Sequence, residues 1–339
     1  MNKKVLISGY YGYGNFGDEA ILGVLVDYLR KFNSEITVLS SNPEKTSMQY
    51  GISSVKNFDM LKVMSEISSC DVLISGGGSL LQDVTSLKSL LYYLFIINYA
   101  KFLKKTVIIF AQGIGPLISG YSKKLVLKTL SKCDIVTVRD IVSQDFLKAN
   151  GIDAHIVSDP VFSVDLPIDQ KTSAVGVQLR AFKSVDNAFL DNLARQIILN
   201  FGERKIELYV FQDSMDLEVC KNFEKVLKNI YPQIETEIVT GLSNNDIIMR
   251  ISRLEYMIAM RFHAVLVAIK TGVKTLAINY DAKVAKLAYE AFLPMISISG
   301  SEDFEPYFDK LKTLKSEDIL AFANTQHFEW NLFDEYLSK

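Results

Sequence analysis

The sequence predicts an α/β protein built from two doubly wound parallel-sheet domains that face each other across a cleft. Short β-branched runs alternate with longer segments of helical periodicity, which is the pattern of parallel strands joined by crossover helices. A polar segment, Leu166–Ser173, carries a proline, acids and a lysine without periodicity and interrupts this alternation, as an interdomain linker would. The alternation then starts again, so we expect a second unit of the same kind.

The first domain is predicted to span residues 1–165. Its strands are expected at Lys4–Ser8, Ile36–Leu39, Asp71–Ile74, Thr106–Ala111, Ile135–Val138 and Ala154–Val157, where β-branched and apolar residues form short runs. Its helices include Asp18–Phe32, Leu87–Leu103, Ser122–Ser131 and Ile141–Ala149, whose apolar residues recur with helical spacing. Together these elements make one doubly wound unit.

The second domain is predicted to span residues 172–314, with C-terminal helices over residues 315–339. Its strands are expected at Ala174–Gln178, Ile206–Phe211, Ile234–Val239, Tyr256–Met260, Thr275–Asn279 and Met295–Ile298. Its helices are expected at Asn187–Leu199, Leu217–Ile230, Asn245–Arg253, Phe262–Thr271 and Ala282–Phe292. Ser316 is the predicted N-cap of a C-terminal helix, because Glu317 and Asp318 follow it.

Length, composition and charge exclude several classes of protein. With 339 residues, 49% of them hydrophobic and 22% charged, the chain is large enough for two domain cores. The 37 Lys and Arg against 39 Asp and Glu give a net charge of -2, which leaves no basic field to attract nucleic acid. Cys70, Cys133 and Cys220 lie far apart without metal-binding spacing, so we expect buried thiols, with neither a disulfide framework nor a zinc site.

The sequence indicates neither a secretory signal nor a membrane span. The apolar run Val5–Ile7 is too short for a signal peptide, so we expect a cytoplasmic protein. The longest apolar stretch, Leu90–Leu103, is interrupted by Asn98 and Lys101 and is shorter than the roughly 20 residues that a spanning helix needs.

A glycine-rich turn follows the first predicted strand. It satisfies the pattern G-x-G-x-x-G with Gly12, Gly14 and Gly17. Such a turn at a helix start favours anions, but a dinucleotide site also needs an acid at the end of the second strand, and Ser40 occupies that region. Asp18 and Glu19, in the first helical turn, would moreover repel a pyrophosphate. NAD binding is therefore disfavoured, and a simple turn with Asp18 as a helix cap stays open as an interpretation.

Two further glycine-rich turns, Ser75–Asp83 and Gln112–Pro116, follow the third and fourth predicted strands. The carboxyl ends of parallel strands form the edge at which open α/β sheets bind ligands. Three such turns on one edge indicate a backbone that approaches a ligand closely, although each turn alone is also explained by packing.

The arginines are more informative, because the chain has only eight. Arg139, Arg180 and Arg261 each follow a predicted strand end directly. Arginine binds carboxylate or phosphate through two parallel hydrogen bonds, so these three residues indicate a small ligand with several negative charges. For any one of them, a structural salt bridge is the competing interpretation.

His263 lies where a predicted strand gives way to a helix, a position typical of general acids and phosphate ligands. It has no partner His, Cys or acid at helical spacing, so no metal is expected there. Lys283 follows the next strand and either adds a cation to the same edge or is merely solvated.

Seven segments, in order along nearly the whole chain, resemble those of the polysaccharide pyruvyltransferase family, in particular its CsaB-type members, which act on secondary cell-wall polymers that anchor S-layers. They are GYYGYGNFGDEAIL (Gly9–Leu22), SGGGSLLQD (Ser75–Asp83), AQGIGP (Ala111–Pro116), VRD (Val138–Asp140), SDP (Ser158–Pro160), VQLR (Val177–Arg180) and MRFHAVLVA (Met260–Ala268). The resemblance implies two Rossmann-like domains similar to the GT-B fold, with acceptor binding in the first and donor binding in the second.

The resemblance also implies that phosphoenolpyruvate donates a pyruvate ketal to two hydroxyls of a sugar in a lipid-linked precursor containing N-acetylmannosamine. The family's R-x-H motif assigns Arg261 and His263 to the donor, and Arg139, Arg180 and Lys283 are carried over on more variable spacing. We assign the acceptor to residues of the glycine-rich turns: Gly14, Asn15, Gly17, Gly77, Gly78 and Gln112. No cofactor is expected besides the donor substrate.

Ketal formation needs a proton at C3 of the donor, a stabilised cationic centre at C2 and an attacking hydroxyl. We predict that His263 supplies the proton or assists the departure of phosphate, and that Asp18 is the base that accepts the hydroxyl proton. A GT-B glycosyltransferase that uses a nucleotide sugar and a non-catalytic carbohydrate-binding protein are the alternatives. The acceptor sugar, the ketal configuration and the oligomeric state stay open.

The segment Leu87–Lys105 is unusually apolar and ends in a basic cluster formed by Lys101, Lys104 and Lys105. The favoured interpretation is a helix that covers the sheet with its apolar side. The alternative is a peripheral contact with the inner face of the cell membrane, because aromatic and basic residues of this kind also occur at bilayer surfaces.

Overall fold

The computed structural model describes residues 2–164, 170–298 and 303–338, which form two compact units. Unit 1 comprises Met1–Ser163 together with His327–Lys339, and unit 2 comprises Val164–Gln326. The predicted linker, Leu166–Ser173, lies partly outside the described residues, because positions 166–169 are not among them. Its described end is held on unit 2, where Lys171 Nζ donates a hydrogen bond to Ser252 O at 2.9 Å.

Unit 1 contains a parallel sheet of seven strands. They are β1 (Lys4–Tyr11), β2 (Glu35–Ser40), β3 (Ser53–Lys56), β4 (Val72–Gly76), β5 (Thr106–Gln112), β6 (Ile135–Val138) and β7 (His155–Ile156). The helices are α1 (Phe16–Arg30), α2 (Pro43–Tyr50), α3 (Met60–Ser69), α4 (Leu87–Phe102), α5 (Gly120–Leu130) and α6 (Ile141–Lys148). The strand order is β3-β2-β1-β4-β5-β6-β7, so the order reverses between β1 and β4.

One helical layer of unit 1 is formed by α3, α4 and α5. Val63 and Ile67 of α3, Leu90 and Ile97 of α4 and Leu130 of α5 are buried in one apolar cluster against the sheet. Burial of each such side chain stabilises the unit by roughly 1.5–3 kcal/mol. The apolar segment after Leu87 is therefore a sheet-covering helix, as the favoured interpretation predicted.

The structure adds α2, β3 and α3 between the second and third predicted strands. The sequence Pro43–Tyr50 is polar, and its helix is started by Asn42, whose side chain accepts a hydrogen bond from Lys45 N at 3.2 Å. The strand Ser53–Lys56 lies at the sheet edge and has no fully buried residue. Because they have no apolar pattern, neither α2 nor β3 was evident from periodicity.

Unit 2 contains a parallel sheet of six strands. They are β8 (Val175–Gln178), β9 (Ile206–Tyr209), β10 (Thr236–Val239), β11 (Tyr256–Ala259), β12 (Lys274–Asn279) and β13 (Met295–Ser297). The helices are α7 (Asn187–Phe201), α8 (Asp213–Ile230), α9 (Asn244–Ser252), α10 (Phe262–Lys270), α11 (Ala282–Glu290), α12 (Glu305–Thr313) and α13 (Ser316–Thr325). The strand order is β10-β9-β8-β11-β12-β13, with the reversal between β8 and β11.

The C-terminal segment divides between the units. Helix α13 belongs to unit 2, whereas the residues after Gln326 return to unit 1 and end in α14 (Asp334–Ser338). There, Trp330 stacks on Tyr28 of α1 with ring centroids 4.3 Å apart. The prediction that Ser316 caps a helix is wrong, because Lys315 holds the N-cap position and Ser316 is the first helical residue.

Two parallel-sheet α/β domains confirm the predicted fold class. Nearly every predicted strand lies within two residues of an observed one, because buried parallel strands form the β-branched runs that the sequence shows. Across residues 2–164, 170–298 and 303–338, no helix is both long and apolar enough to span a membrane.

Candidate functional site

The carboxyl edge of the unit 1 sheet carries the first group of predicted residues. The strand order reverses between β1 and β4, and ligands of open α/β sheets bind outside the carboxyl ends at such a reversal. The glycine-rich turns that contain Gly14 and Gly78 follow these two strands directly. The structure therefore brings both turns to one place.

The turn after β1 depends on glycine. Gly12 has φ +81°, and a Cβ atom there would lie 2.5 Å from Asn42 N. Gly14 has φ +68° but open space around it, so its turn is available to a ligand. Helix α1 then begins with Asn15 as N-cap and with Gly17 buried in its first turn.

Asp18 faces the turn after β4. Its carboxylate is buried and accepts a hydrogen bond from Asn15 Nδ2 at 2.5 Å. A Cβ atom on Gly78, which has φ +66°, would lie 2.6 Å from Asp18 Oδ1. Gly77, with φ +92°, lies equally close to a side chain, since a Cβ atom there would be 3.0 Å from Tyr11 Oη. The predicted residues Asn15, Asp18, Gly77 and Gly78 are thus neighbours.

Glu19 is a second buried acid in this turn and received no predicted role. It accepts hydrogen bonds from Gly12 N at 2.7 Å and from Tyr50 Oη at 3.0 Å. Burial raises the pKa of Glu19 above its usual value, while these two hydrogen bonds oppose the shift. Glu19 therefore holds the first glycine-rich turn in shape.

Gln112 lies beneath the turns rather than on their surface. Its side chain is fully buried, and Nε2 donates hydrogen bonds to Ser75 O and Ser75 Oγ, each at 3.0 Å. Its Oε1 is also buried and has no hydrogen-bond partner among the described residues. Gln112 joins the ends of β4 and β5 and leaves one acceptor atom for a further donor.

Arg139 forms a buried ion pair at the end of β6. Its Nη1 lies 3.1 Å from Asp159 Oδ2, and both side chains are less than one-tenth exposed. Its Nη2 donates to Ser79 Oγ at 3.3 Å, which connects it to the turn after β4. Arg139 thus lies in unit 1, whereas the other predicted donor residues lie in unit 2.

The carboxyl edge of the unit 2 sheet carries the second group. Arg180 and Arg261 each lie two residues beyond a strand end, after β8 and β11, the strands between which the order reverses. Tyr280 follows β12, the next strand in the sheet. The topology therefore places both arginines at the position where open sheets bind ligands.

Arg261 is held by a fully buried carboxylate. Its Nε lies 2.9 Å from Asp216 Oδ2 and its Nη2 lies 2.7 Å from Asp216 Oδ1. Gln178 Oε1 accepts a hydrogen bond from Arg261 N at 2.7 Å, and Gln178 Nε2 donates to Asp216 Oδ2 at 3.3 Å. This network fixes the guanidinium and neutralises most of its charge.

Arg180 has no such carboxylate. Its guanidinium lies over the ring of Tyr280 at 5.1 Å, and its Nη1 donates to Tyr280 Oη at 3.2 Å. Among the described residues it forms no ion pair, and its buried Nε has no hydrogen-bond partner. Burial and Asp281 raise the pKa of Tyr280, whereas Arg180 and Arg261 oppose this shift, so both cations lie near the phenol.

His263 and Lys283 lie in the first turns of their helices. His263 is the second residue of α10, is half-buried, and stands perpendicular to the ring of Phe262 at 5.2 Å. Lys283 is exposed on α11, where its backbone N donates to Asp281 Oδ1 at 2.9 Å. Unit 2 thus presents two arginines, a histidine and a lysine on three neighbouring strand–helix connections.

Sequence reasoning missed the partners of the arginines. Asp216 had a recognisable signal, since it falls on the apolar stripe of α8 with Val219, Cys220, Phe223 and Leu227. An acid in such a stripe requires a buried cation. No group of three or more His, Cys, Asp or Glu in the described ranges is arranged to hold a metal ion.

The comparisons with known proteins give a family and a fold. Residues 15–282 match the family model described as polysaccharide pyruvyl transferase. No curated protein sequence matches the chain significantly. Family membership therefore depends on the family model, which covers most of the chain.

Solved structures match over the whole chain at low identity. A UDP-GlcNAc 2-epimerase from Neisseria meningitidis bound to UDP-GlcNAc is 11% identical, with a TM-score of 0.63 over 98% of this chain and 99% of that chain. HepE from Anabaena in complex with UDP is 10% identical, with a TM-score of 0.62 over 98% and 97%. A glycosyltransferase from Rickettsia africae is 12% identical, with a TM-score of 0.62 over 100% and 99%. At these identities the likeness shows the GT-B fold alone.

Proposed function

Since the chain belongs to the polysaccharide pyruvyl transferase family, we propose that it transfers the pyruvyl unit of phosphoenolpyruvate to a sugar of a cell-wall polysaccharide precursor. The product is a pyruvate ketal on the sugar, and inorganic phosphate is released. The acceptor we favour is the lipid-linked, N-acetylmannosamine-containing precursor of the CsaB-type members, modified in the cytoplasm.

The donor assignment rests on one observation: the buried Nε of Arg180 has no hydrogen-bond partner among the described residues. A buried guanidinium N–H without a partner costs free energy, so it indicates a ligand that completes its hydrogen bonds. A compact anion with a carboxylate and a phosphate fits Arg180, Lys283 and the remaining N–H groups of Arg261. Asp216 keeps Arg261 oriented for this purpose.

The proposed reaction balances without a further reactant. C3 of the donor gains a proton and becomes a methyl group, two sugar oxygens bond to C2, and the bond from C2 to the phosphate oxygen breaks. Of the two hydroxyl protons lost, one is matched by the proton gained at C3 and the other leaves with phosphate. His263 supplies the proton at C3 or assists the departing phosphate, as its place in a helix first turn allows.

The acceptor is assigned to the turns of unit 1. Asp18 is the proposed base for the attacking hydroxyl, with Asn15 orienting its carboxylate at 2.5 Å. Gly14 is exposed with open space around it, so its backbone offers close contact to a sugar. Gly17, Gly77 and Gly78 are buried, so their part in the proposed acceptor site is to let the two turns pack closely around Asp18 and Tyr11. Gln112 supports these turns from below, and Arg139 holds the turn after β4 through Ser79.

The test is incubation of the protein with phosphoenolpyruvate and lipid-linked sugar extracts, followed by mass spectrometry of the sugars and an assay of free phosphate. A pyruvyl group on the sugar, formed in equal amount to the phosphate, supports the proposal. Release of a nucleoside diphosphate from a nucleotide sugar, with no use of phosphoenolpyruvate, identifies a glycosyltransferase instead. Acceptor binding with neither reaction identifies a carbohydrate-binding protein.

A further inference from the structure

Exposed apolar side chains gather on the α3–α4–α5 layer of unit 1. Six of them, which we call the apolar rim patch, have between 40% and 83% of their surface exposed: Phe58, Leu61, Leu87, Leu91, Phe95 and Ile118. The inner side of α4 is already apolar and buried, with Leu90 and Ile97 in the core. The stripe formed by Leu87, Leu91 and Phe95 is therefore not needed to pack α4 against the sheet.

The apolar rim patch begins at the carboxyl edge of the sheet and extends along α4 to Phe95, in the middle of that helix. A crossover helix runs antiparallel to the strands, so its first turn lies at the edge where the strands end. Leu61 is the second residue of α3, Leu87 is the first residue of α4, and Ile118 lies two residues before α5. This is the edge that also carries Asp18 and Gly78.

Two contacts join the helix starts that carry the patch. The ring of Phe58 lies 5.4 Å from that of Tyr92 on α4, which joins the start of α3 to the stripe. Asp83, just before α4, accepts hydrogen bonds from Ile118 N at 2.7 Å and Ser119 N at 2.9 Å, which joins the stripe to the start of α5. Exposed apolar side chains grouped in this way indicate an interaction site.

The charges around the patch are mainly basic. Lys88 and Lys124 are exposed on α4 and α5. Lys123 is also exposed, but its Nζ lies over the ring of Phe146 on α6, 5.8 Å from the centroid. Two acids lie at the same helix starts: Asp83 accepts hydrogen bonds from backbone amides, and Asp59 caps α3 and pairs with Lys62 at 3.5 Å. Lysines around an apolar surface fit an anionic bilayer, where the apolar side chains enter the interface and the ammonium groups meet lipid phosphates.

The basic cluster expected at the end of α4 does not take part. Lys101 pairs with Asp134 at 2.6 Å, and Lys105 donates to Ser68 O at 2.7 Å. These residues and Lys104 lie at the C-terminal end of α4, away from the patch. These lysines therefore do not support the predicted membrane contact, and the residues that do support it begin at the opposite end of the helix.

We propose that the apolar rim patch docks unit 1 on an anionic lipid bilayer, with Lys88 and Lys124 against the headgroups. The inference deepens the proposed function, on which it rests in one respect: a lipid-linked acceptor has to be met at the membrane surface. Docking by this edge brings the turns around Asp18 to the headgroup region, where the sugar of such an acceptor lies.

The experiment measures flotation of the full chain with vesicles of phosphatidylglycerol and phosphatidylcholine, and with phosphatidylcholine vesicles alone. The variants are Leu91→Glu with Phe95→Glu, and separately Lys88→Glu with Lys124→Glu. The matched controls are Phe102→Glu and Lys104→Glu, because both residues are exposed on or just after the same helix at its other end. Light scattering of each variant reports its oligomeric state, and thermal unfolding reports its folding.

We expect the wild-type chain to bind only the anionic vesicles and to lose binding at high salt. The Leu91/Phe95 variant should bind at least tenfold more weakly, the Lys88/Lys124 variant roughly tenfold more weakly at low salt, and the controls like wild type. Absence of wild-type binding, or equal binding by patch variants and controls, overturns the inference. A change of oligomeric state in the patch variants with unchanged vesicle binding also overturns it and assigns the patch to a second copy of the chain.

Turnover separates this inference from the proposed function. With a lipid-linked acceptor the patch variants should lose activity, whereas with a water-soluble acceptor sugar they should match wild type, because no patch residue belongs to the assigned site. Patch-dependent vesicle binding without any use of phosphoenolpyruvate leaves the docking inference standing and overturns the proposed function. Full turnover on both acceptors by the patch variants overturns the docking inference and leaves the proposed function standing.

Discussion

The carboxylate of Asp216 meets the guanidinium of Arg261 side-on, with Nε 2.9 Å from Oδ2 and Nη2 2.7 Å from Oδ1. Asp216 is fully buried, and the backbone N–H groups of Phe211 and Gln212 also donate to it, each at 3.0 Å. The pair ties the first turn of α8 to the end of β11. The orientation of a proposed donor-binding arginine thus depends on an acid that lies outside every recognised motif.

Asp216→Asn should destabilise the protein by about 3–5 kcal/mol, because it leaves the Arg261 charge buried without its counter-ion. Urea unfolding of unit 2 measures this loss. The matched control is Asp191→Asn, which breaks the exposed pair with Arg195 on α7 and should cost less than about 1 kcal/mol. Equal costs for the two variants would contradict the assigned burial.

Arg180→Gln should lower kcat/KM for phosphoenolpyruvate by about 10- to 100-fold, the value of one or two charge-assisted hydrogen bonds. Its stability should change by less than about 1 kcal/mol, because no ion pair is lost among the described residues. Arg195→Gln, on the exposed face of α7, should leave the kinetics unchanged. An unaltered kcat/KM for phosphoenolpyruvate in Arg180→Gln would remove this residue from the donor site.

His263→Ala should reduce kcat by roughly 10²- to 10⁴-fold while phosphoenolpyruvate binding is largely kept, as expected when a general acid is removed. Calorimetric titration of the donor and single-turnover rates separate the two effects. His327→Ala is the control, because His327 is exposed and lies in unit 1. Unchanged turnover in His263→Ala would exclude His263 from the chemistry.

Gly78→Ala and Gly14→Ala form a matched pair. Both glycines have φ close to +67°, so alanine costs roughly 1–2 kcal/mol of backbone strain at either position. Only at Gly78 would the new Cβ also meet the Asp18 carboxylate, at 2.6 Å, which adds about 1–3 kcal/mol of overpacking. The free energy of unfolding in urea should therefore be lower for Gly78→Ala than for Gly14→Ala. Equal stabilities would show that Asp18 moves away at little cost.

Glu19 should make the stability of unit 1 depend on pH. Its pKa is raised in the folded state by burial, so the folded chain holds the proton more tightly than the unfolded chain. The contribution is fully present below the unfolded value of 4.5 and is lost as the pH rises through the folded pKa. Glu19→Gln keeps an oxygen that accepts from Gly12 N, and its Nε2 can donate to Tyr50 Oη, which still donates to the backbone oxygen of residue 19. The variant should therefore flatten this dependence and stabilise the protein at pH 8.

The control for this prediction is Glu317→Gln, because Glu317 is exposed on α13. Thermal unfolding between pH 4 and pH 8 compares the two variants with wild type. A steeper fall in stability for Glu19→Gln than for wild type as the pH rises would contradict the direction of the shift.

The sequence was sufficient for buried strands and for residues at strand ends. Ile135–Val138 was predicted with its observed bounds, because all four residues are buried and form a β-branched run. Ser53–Lys56 was missed, because an edge strand with no fully buried residue needs no such pattern. Since Arg180 and Arg261 follow buried strands, their place at the carboxyl edge could be predicted from the chain alone.

The contacts of these arginines could not be predicted in the same way. Arg139 and Arg261 received the same role as Arg180, but each is engaged by a buried acid, Asp159 or Asp216, that lies 20 or 45 residues away. Such pairing depends on how helices and loops return to the sheet edge, which a single sequence does not specify. The assignment of catalytic and binding roles stays a prediction for the experiments above.

The return of the chain to unit 1 has a consequence for its synthesis. Phe110, in the second half of β5, is almost fully buried, and its ring contacts Phe328, Trp330 and Phe333 at centroid distances of 5.2, 5.8 and 5.4 Å. On the ribosome, this strand emerges more than 200 residues before the aromatic residues that cover it. Unit 2 is continuous in sequence, so it can finish folding while the first-made unit still exposes part of its apolar interior. During that interval, unit 1 is the part of the nascent protein that needs protection by chaperones.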